Sequence, residues 1–175
     1  LLIVGPLPAG LQKDLSKNFD LVSLWTVEDR ANFLQSHQGQ FVGGVTMSRH
    51  GCQADVFACL SGTVLVCFGV GFDGIDLQAA NNNNVAVSTT PDVLTNCVAD
   101  IALALMLGVA RQIVPAAQFV QEGHWAQGAF GLSTRVSGKR LGIVGLGRIG
   151  TAIAKRAQGF DMPIGYFARH QVKGV

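Results

Sequence analysis

The residues best suited to chemistry lie late in the chain. Gly145, Gly147 and Gly150 stand as G-x-G-x-x-G within Gly145-Leu146-Gly147-Arg148-Ile149-Gly150. The apolar run Leu141-Gly142-Ile143-Val144 stops at Gly145, and from Thr151 good helix material follows, with apolar residues three and four apart. Between a strand and a helix, each glycine has a physical reason. Gly145 makes the tight turn off the strand. Gly147 has no Cβ, so a pyrophosphate can approach the backbone. Gly150 lets the helix lie close on the strand. The helix N-terminus then offers free N–H groups and a positive dipole end to phosphates. The competing reading is a plain strand–turn–helix whose glycines serve packing alone.

About 20 residues beyond such glycines, a carboxylate that accepts hydrogen bonds from the adenine ribose 2′-OH implies NAD. Here the second strand, Ile164-Gly165-Tyr166-Phe167, ends in Ala168-Arg169-His170, and the nearest acid, Asp161, lies before it. No carboxylate repels a 2′-phosphate and Arg169 attracts one. NADP(H) is therefore the preferred cofactor, with NAD(H) possible; as an ordinary exposed charge, Arg169 would select neither.

These residues need a parallel sheet to hold them. Strand patterns at 1–5, 20–24, 41–47, 63–68 and 85–88 alternate with helical patterns at 8–17, 27–36, 53–60 and 76–82. That alternation predicts a doubly wound α/β sheet. Residues 63–68 are all apolar or β-branched, as in a strand buried on both faces. Thr26 is the expected cap of the second helix, with Asp29 three residues on. Asn81-Asn82-Asn83-Asn84 sits where a helix must end before a strand, and Asn tolerates the left-handed conformation. A long apolar helix over 97–120, breaking near Pro115, crosses to a second domain. The domains expected are 1–96, for substrate, and 97–175, the start of a dinucleotide-binding domain.

Composition sets the remaining bounds. The 175 residues are 49% hydrophobic and 14% charged, enough for a substantial core, and the net charge of +2 argues for neither nucleic acid nor an anionic membrane. Cys52, Cys59, Cys67 and Cys97 show no paired spacing and read as buried hydrophobes in a reducing compartment. The four histidines form no metal-ligand pattern. The longest apolar run, 98–110, is too short for a membrane span and contains Asp100. A soluble cytoplasmic protein is expected. The apolar crossing helix and the exposed-aromatic stretch around Trp125 and Phe130 suggest a homodimer. The chain begins without Met and has two strands after the crossing helix, where a dinucleotide fold needs about six; a longer parent is expected.

Several segments together form a family pattern. Phe68-Gly69-Val70-Gly71-Phe72-Asp73-Gly74-Ile75-Asp76, Thr90-Pro91-Asp92-Val93-Leu94-Thr95, Val98-Ala99-Asp100, Gly123-His124-Trp125 and the 145–150 glycine turn occur in order. In this the chain resembles the D-isomer-specific 2-hydroxyacid dehydrogenases, in particular the glyoxylate/hydroxypyruvate (and hydroxyphenylpyruvate) reductase branch. The resemblance implies a flavodoxin-like parallel-sheet substrate domain and a Rossmann dinucleotide-binding domain. It implies that the backbone N–H groups of Val70 and Gly71 hold the substrate carboxylate and that Thr95 sits near the cofactor. Leu146, Gly147, Arg148 and Ile149 would contact the pyrophosphate, and Ala168, Arg169 and His170 the adenosine end. Asp100 more simply caps or pairs structurally. The family's catalytic Arg, Glu and His fall downstream of Val175, so no catalytic residue is assigned here. Asn84 replaces the usual turn glycine. Gly128 and Phe130 stand where some members project a tryptophan toward the neighbouring subunit.

The activity so implied is NADPH-dependent reduction of a 2-keto acid, such as glyoxylate or hydroxypyruvate, to the 2-hydroxy acid. Two alternatives stand beside it: a non-catalytic dinucleotide-sensing module of the corepressor type on the same fold, and a fragment inactive on its own.

Overall fold

The computed structural model describes residues 1–172; the last three residues of the 97–175 segment lie outside the described residues. The chain divides into two compact units, 1–91 and 92–175.

The first unit holds five short strands: β1 (Leu2–Ile3), β2 (Val22–Ser23), β3 (Gly44–Met47), β4 (Val64–Phe68) and β5 (Ala86–Thr89). All pair in parallel, in the order β2-β1-β3-β4-β5, the flavodoxin-like arrangement. Between them lie α1 (Ala9–Leu15), α2 (Arg30–Ser36), a 3-10 helix over Ala54–Leu60, and α3 (Leu77–Asn82). One face of the sheet carries the main core. Leu2, Leu65 and Cys67 are fully buried there against Val56, Phe57 and Leu60 of the 3-10 helix, with Leu34 and Ala80 from α2 and α3. The other face is covered by α1 over Ile3 and Val45.

That second face is only half covered. Val64, Val66 and Phe68 alternate with the buried Leu65 and Cys67, and point into an apolar hollow of about 510 Å³ beside Leu11 and Leu15 of α1. Val64 and Phe68 remain 38% and 42% exposed. The expectation that this strand is buried on both faces therefore holds for one face only, because no helix of this unit lies over the other side of β4.

Local chemistry explains most helix ends, with two departures from the sequence reading. Thr26 does not cap α2: it closes a 3-10 turn, Leu24–Thr26, and its hydroxyl donates to the Ser23 carbonyl at 2.8 Å. The cap is Asp29, whose carboxylate accepts from Asn32 N at 3.0 Å. Asp76 caps α3 as expected, accepting from Ala79 N at 2.9 Å. The asparagine run does end that helix: Asn83 Nδ2 donates to the Ala79 carbonyl, and Asn84 takes φ +53°.

The second unit contains α4 (Thr95–Ala110), α5 (Ile113–Gln121), β6 (Leu141–Val144), α6 (Arg148–Ala157) and β7 (Ile164–Phe167). The long helix breaks not at Pro115 but at Gln112, which is left-handed at φ +53°. Pro115 is the third residue of α5, within the first turn, where a missing N–H costs nothing. Among the described residues no single helix is long and apolar enough to cross a membrane; α4 and α5 pass that test only jointly, across a 58° bend. Helices α4 and α6 pack together through Arg156, which donates to Asp100 Oδ1 at 2.6 Å, Asn96 Oδ1 at 3.2 Å and the Ala152 carbonyl at 3.0 Å. β6 and β7 pair in parallel, Leu141 beside Ile164 and Val144 beside Phe167.

Candidate functional site

In the second unit, the chain leaves β6 through Gly145, whose φ of +91° suits glycine. Leu146 turns inward and is buried with Ile143 and Ala154. The backbone of the turn is thereby anchored from below. Gly147 is the residue before α6, at φ −81°, and a Cβ there would meet nothing within 4 Å. Gly150 is buried, and a Cβ there would overlap the Gly145 carbonyl oxygen. The three glycines thus do three different things: one turns, one leaves an open face, one permits contact. The open face at Gly147 adjoins the N–H groups of the first turn of α6, a ten-residue helix. A pyrophosphate fits this cradle by charge and by space.

Arg148 opens α6 and is largely exposed. Its Nε forms an ion pair with Asp92 Oδ1 at 3.0 Å. This pair was not foreseen from the sequence, where 56 residues separate the partners. Asp92 has φ +69°, an uncommon conformation for a non-glycine residue. Ile149 is 38% exposed. Thr95 is the first residue of α4 and half-buried.

Beyond β7, Ala168 is half-buried while Arg169 and His170 are exposed. Their turn is held by Tyr166, whose hydroxyl donates to the Val172 carbonyl at 3.3 Å and accepts from Val172 N at 3.1 Å. Among the described residues no carboxylate pairs with Arg169. Asp161 precedes β7 in a left-handed turn, at the strand's other end.

The first unit carries the second candidate site. β4 runs into Gly69-Val70-Gly71 at the carboxyl edge of the sheet. Gly69 N donates to Thr90 Oγ1 at 3.0 Å, tying this loop to the end of β5. Gly69 is at φ +148° and a Cβ there would overlap Ser48 Oγ. Cys67 Sγ lies 3.6 Å from the Gly71 carbonyl and 3.6 Å from Ser48 Oγ. Val70 and Gly71 are exposed, and among the described residues neither N–H is engaged in a hydrogen bond. Two such donors at a strand end suit a carboxylate. Asp73 lies close by, with Oδ2 at 3.7 Å from the position of a Gly71 Cβ.

The cysteines take no part. Burial, reinforced by Asp55, pushes the Cys52 thiol up to about 12, and Cys59 is raised by burial as well. Both are held as inert thiols. Cys97, expected among the buried ones, is instead exposed. It lies two residues from Ala99 on a helix whose buried residues are Ala99 and Leu103, which turns it outward. Among the described residues no three His, Cys, Asp or Glu side chains are placed to hold a metal ion.

The fold and turn define a class: a parallel α/β protein with the opening βαβ unit of a Rossmann-type dinucleotide site. Comparison narrows the class. Residues 103–175 match the D-isomer specific 2-hydroxyacid dehydrogenase, NAD binding domain, family. The chain is 40% identical over 170 residues to a glyoxylate/hydroxypyruvate reductase A of Arabidopsis thaliana, covering 97% of this chain and 54% of that protein. A 2-hydroxyacid dehydrogenase from Ketogulonicigenium vulgare Y25 superposes with a TM-score of 0.90 at 36% identity, over 98% of this chain and 55% of that one. An NADPH-dependent glyoxylate/hydroxypyruvate reductase from Sinorhizobium meliloti, in complex with NADP and malonate, gives 0.80 at 30% identity, over 99% and 54%. The chain belongs to the D-isomer specific 2-hydroxyacid dehydrogenase family. It spans about half the length of the curated relatives it matches.

Proposed function

We propose that this chain forms the carboxylate-binding loop and the phosphate-binding turn of an NADPH-dependent 2-keto acid reductase acting on substrates such as glyoxylate or hydroxypyruvate. The observation that carries this is the glycine turn: Gly145 at φ +91°, an open Gly147 and a Gly150 that no Cβ could replace. Support comes also from the relatives, whose names include glyoxylate and hydroxypyruvate reductases and an NADPH-dependent one.

The nicotinamide, when bound, supplies hydride. The residues of this chain bind and orient. The N–H groups at the start of α6 and the Arg148 guanidinium receive the pyrophosphate. Arg169, with no carboxylate beside it, receives a 2′-phosphate, and Ala168 and His170 border the adenosine. Thr95 is assigned to the cofactor. Val70 N–H and Gly71 N–H hold the substrate carboxylate. No side chain of this chain is assigned to proton transfer. The exposed Leu105, Val109 and Val114 of α4 and α5 are assigned to a homodimer contact, and the free cysteines to a reducing, cytoplasmic setting.

Cofactor choice is tested by titrating the chain with NADPH and NADH, following nucleotide fluorescence. NADPH binds more tightly, and Arg169→Asp reverses the order. An unchanged order in the variant overturns the assignment of Arg169. The chain alone turns over no glyoxylate; turnover by the purified 175-residue protein would show that it carries its own acid–base group.

A further inference from the structure

In the polar turn after β3, Ser48-Arg49-His50-Gly51, Ser48 packs on the Gly69 loop, while Arg49 and His50 have no role in the sites above. Yet the turn lies where open α/β sheets bind ligands. Strand order reverses between β1 and β3, and the crevice at the carboxyl ends of that pair is the topological switch point. His50 occupies it: a Cβ on Gly5, just past β1, would come within 2.6 Å of the His50 ring. Arg49 Nε donates to His50 Nε2 at 3.1 Å, which draws the guanidinium over the same crevice. Arg49 is exposed, and among the described residues it has no carboxylate partner.

The turn is rigid and joined to the Val70–Gly71 loop. His50 N and Gly51 N both donate to the Met47 carbonyl, at 2.9 and 3.0 Å. The buried Thr46 hydroxyl donates to the Gly51 carbonyl. Gly51, at φ +62°, packs so tightly on Gly74 that a Cβ would overlap the Gly74 carbonyl oxygen. Met47 pairs with Phe68, so the turn that carries Arg49 and the loop that carries Val70 leave the same end of neighbouring strands. β1 and β4 flank β3 on opposite sides. The cation over β1 and the free N–H groups past β4 are therefore about two strand spacings apart, roughly 10 Å.

We propose that Arg49, steadied by His50, recognises a second anionic group, so that the substrate range extends beyond short acids such as glyoxylate to 2-keto acids, and the 2-hydroxy acids made from them, with a carboxylate or phosphate at the far end, and favours these. This rests on the reading of Val70 and Gly71 as the site of the first carboxylate. A guanidinium engaged through Nε keeps both terminal nitrogens free, and their planar fork fits either anion. With no acid paired to it, no internal partner has to be displaced.

Three 2-hydroxy acids that share one head test this: D-glycerate with a neutral tail, D-malate with a carboxylate and D-3-phosphoglycerate with a phosphate. Each is titrated into the isotopically labelled chain while the amide signals of Val70 and Gly71 are followed, in the wild type and in Arg49→Gln. The expected result is that all three shift those amides, that at least one charged-tail acid binds about fivefold more tightly than D-glycerate, as an exposed ion pair allows, and that R49Q removes the advantage. Whichever tail loses more in R49Q identifies the anion. If all three shift the amides with equal affinity, or the advantage survives in R49Q, the inference about Arg49 fails while the carboxylate loop stands. If none shifts the amides, the carboxylate loop is wrong and the inference falls with it. Circular dichroism of R49Q, an exposed substitution, matches the wild type in every case.

Discussion

Two glycines of one turn, Gly147 and Gly150, separate binding from stability. A Cβ at Gly150 would overlap the Gly145 carbonyl oxygen and sit 3.4 Å from Ile143 Cγ2. Neither obstacle is a flexible side-chain end, so α6 must lift from β6. Gly→Ala inside a helix gains about 1 kcal/mol in propensity, whereas overpacking costs about 1–3 kcal/mol, and the lifted turn also loosens the buried Leu146 and Ala154. The net expectation for Gly150→Ala is a loss of about 1–2 kcal/mol, a fall in Tm of about 2–8 °C. Gly147→Ser is the contrasting case. The position has an unstrained φ of −81° and empty space around it, and Ser caps helices better than Gly. Its Tm should match or slightly exceed the wild type. The new side chain nevertheless fills the face through which a pyrophosphate would approach, so NADPH affinity should fall about tenfold, or about 1.4 kcal/mol. Thermal unfolding followed by circular dichroism and NADPH fluorescence titration give the two readouts. An unaltered Tm in G150A refutes the packing argument. Wild-type NADPH affinity in G147S refutes the phosphate-approach argument, whatever its stability.

Three further outcomes follow from single contacts. Arg156→Ala removes the two hydrogen bonds that join α4 to α6, to Asp100 and Asn96, and should cost about 1–2 kcal/mol in urea unfolding, with Arg156→Lys recovering less than half because the fork is lost; full recovery by Lys would reduce the contact to simple charge. Gln112→Gly relieves the left-handed residue between α4 and α5 and should raise Tm by about 1–4 °C, where a fall would show that the Gln side chain matters more than its backbone. Cys52 governs an alkaline limit. Its thiol is raised from 9.0 to about 12 in the folded protein, chiefly by burial. The unfolded chain then releases a proton that the folded chain keeps, so this stability is complete below pH 9 and declines from there towards pH 12, by up to about 1.4 kcal/mol per pH unit. Cys52→Ala should flatten that decline in pH-dependent urea titrations, and an unchanged slope would assign it to other groups.

What could be read from the sequence follows the reach of each interaction. The glycine turn was legible because its causes are local: a strand, a turn and a helix within 145–157, each glycine answering to a neighbour only a few residues away. The same holds for Asp76 and the asparagine run, whose hydrogen bonds span three or four residues. Thr26 was misread because Ser, Thr and Asp all cap helices, and the choice between Thr26 and Asp29 depends on whether the chain first spends a 3-10 turn. Pro115 looked like the helix breaker because proline breaks interiors, but a proline in the first turn is tolerated, and the break had already occurred at Gln112. The Asp92–Arg148 pair and the laying of His50 on Gly5 had no local signal, since each joins residues that only the fold brings together. The half-open face of β4 is the most instructive case. Its residues are apolar throughout, and composition alone assigned both faces to a core. Burial, however, belongs to whatever packs on a strand, and within this unit α1 reaches only part of that face. An apolar strand therefore states that cover is wanted without stating which segment supplies it.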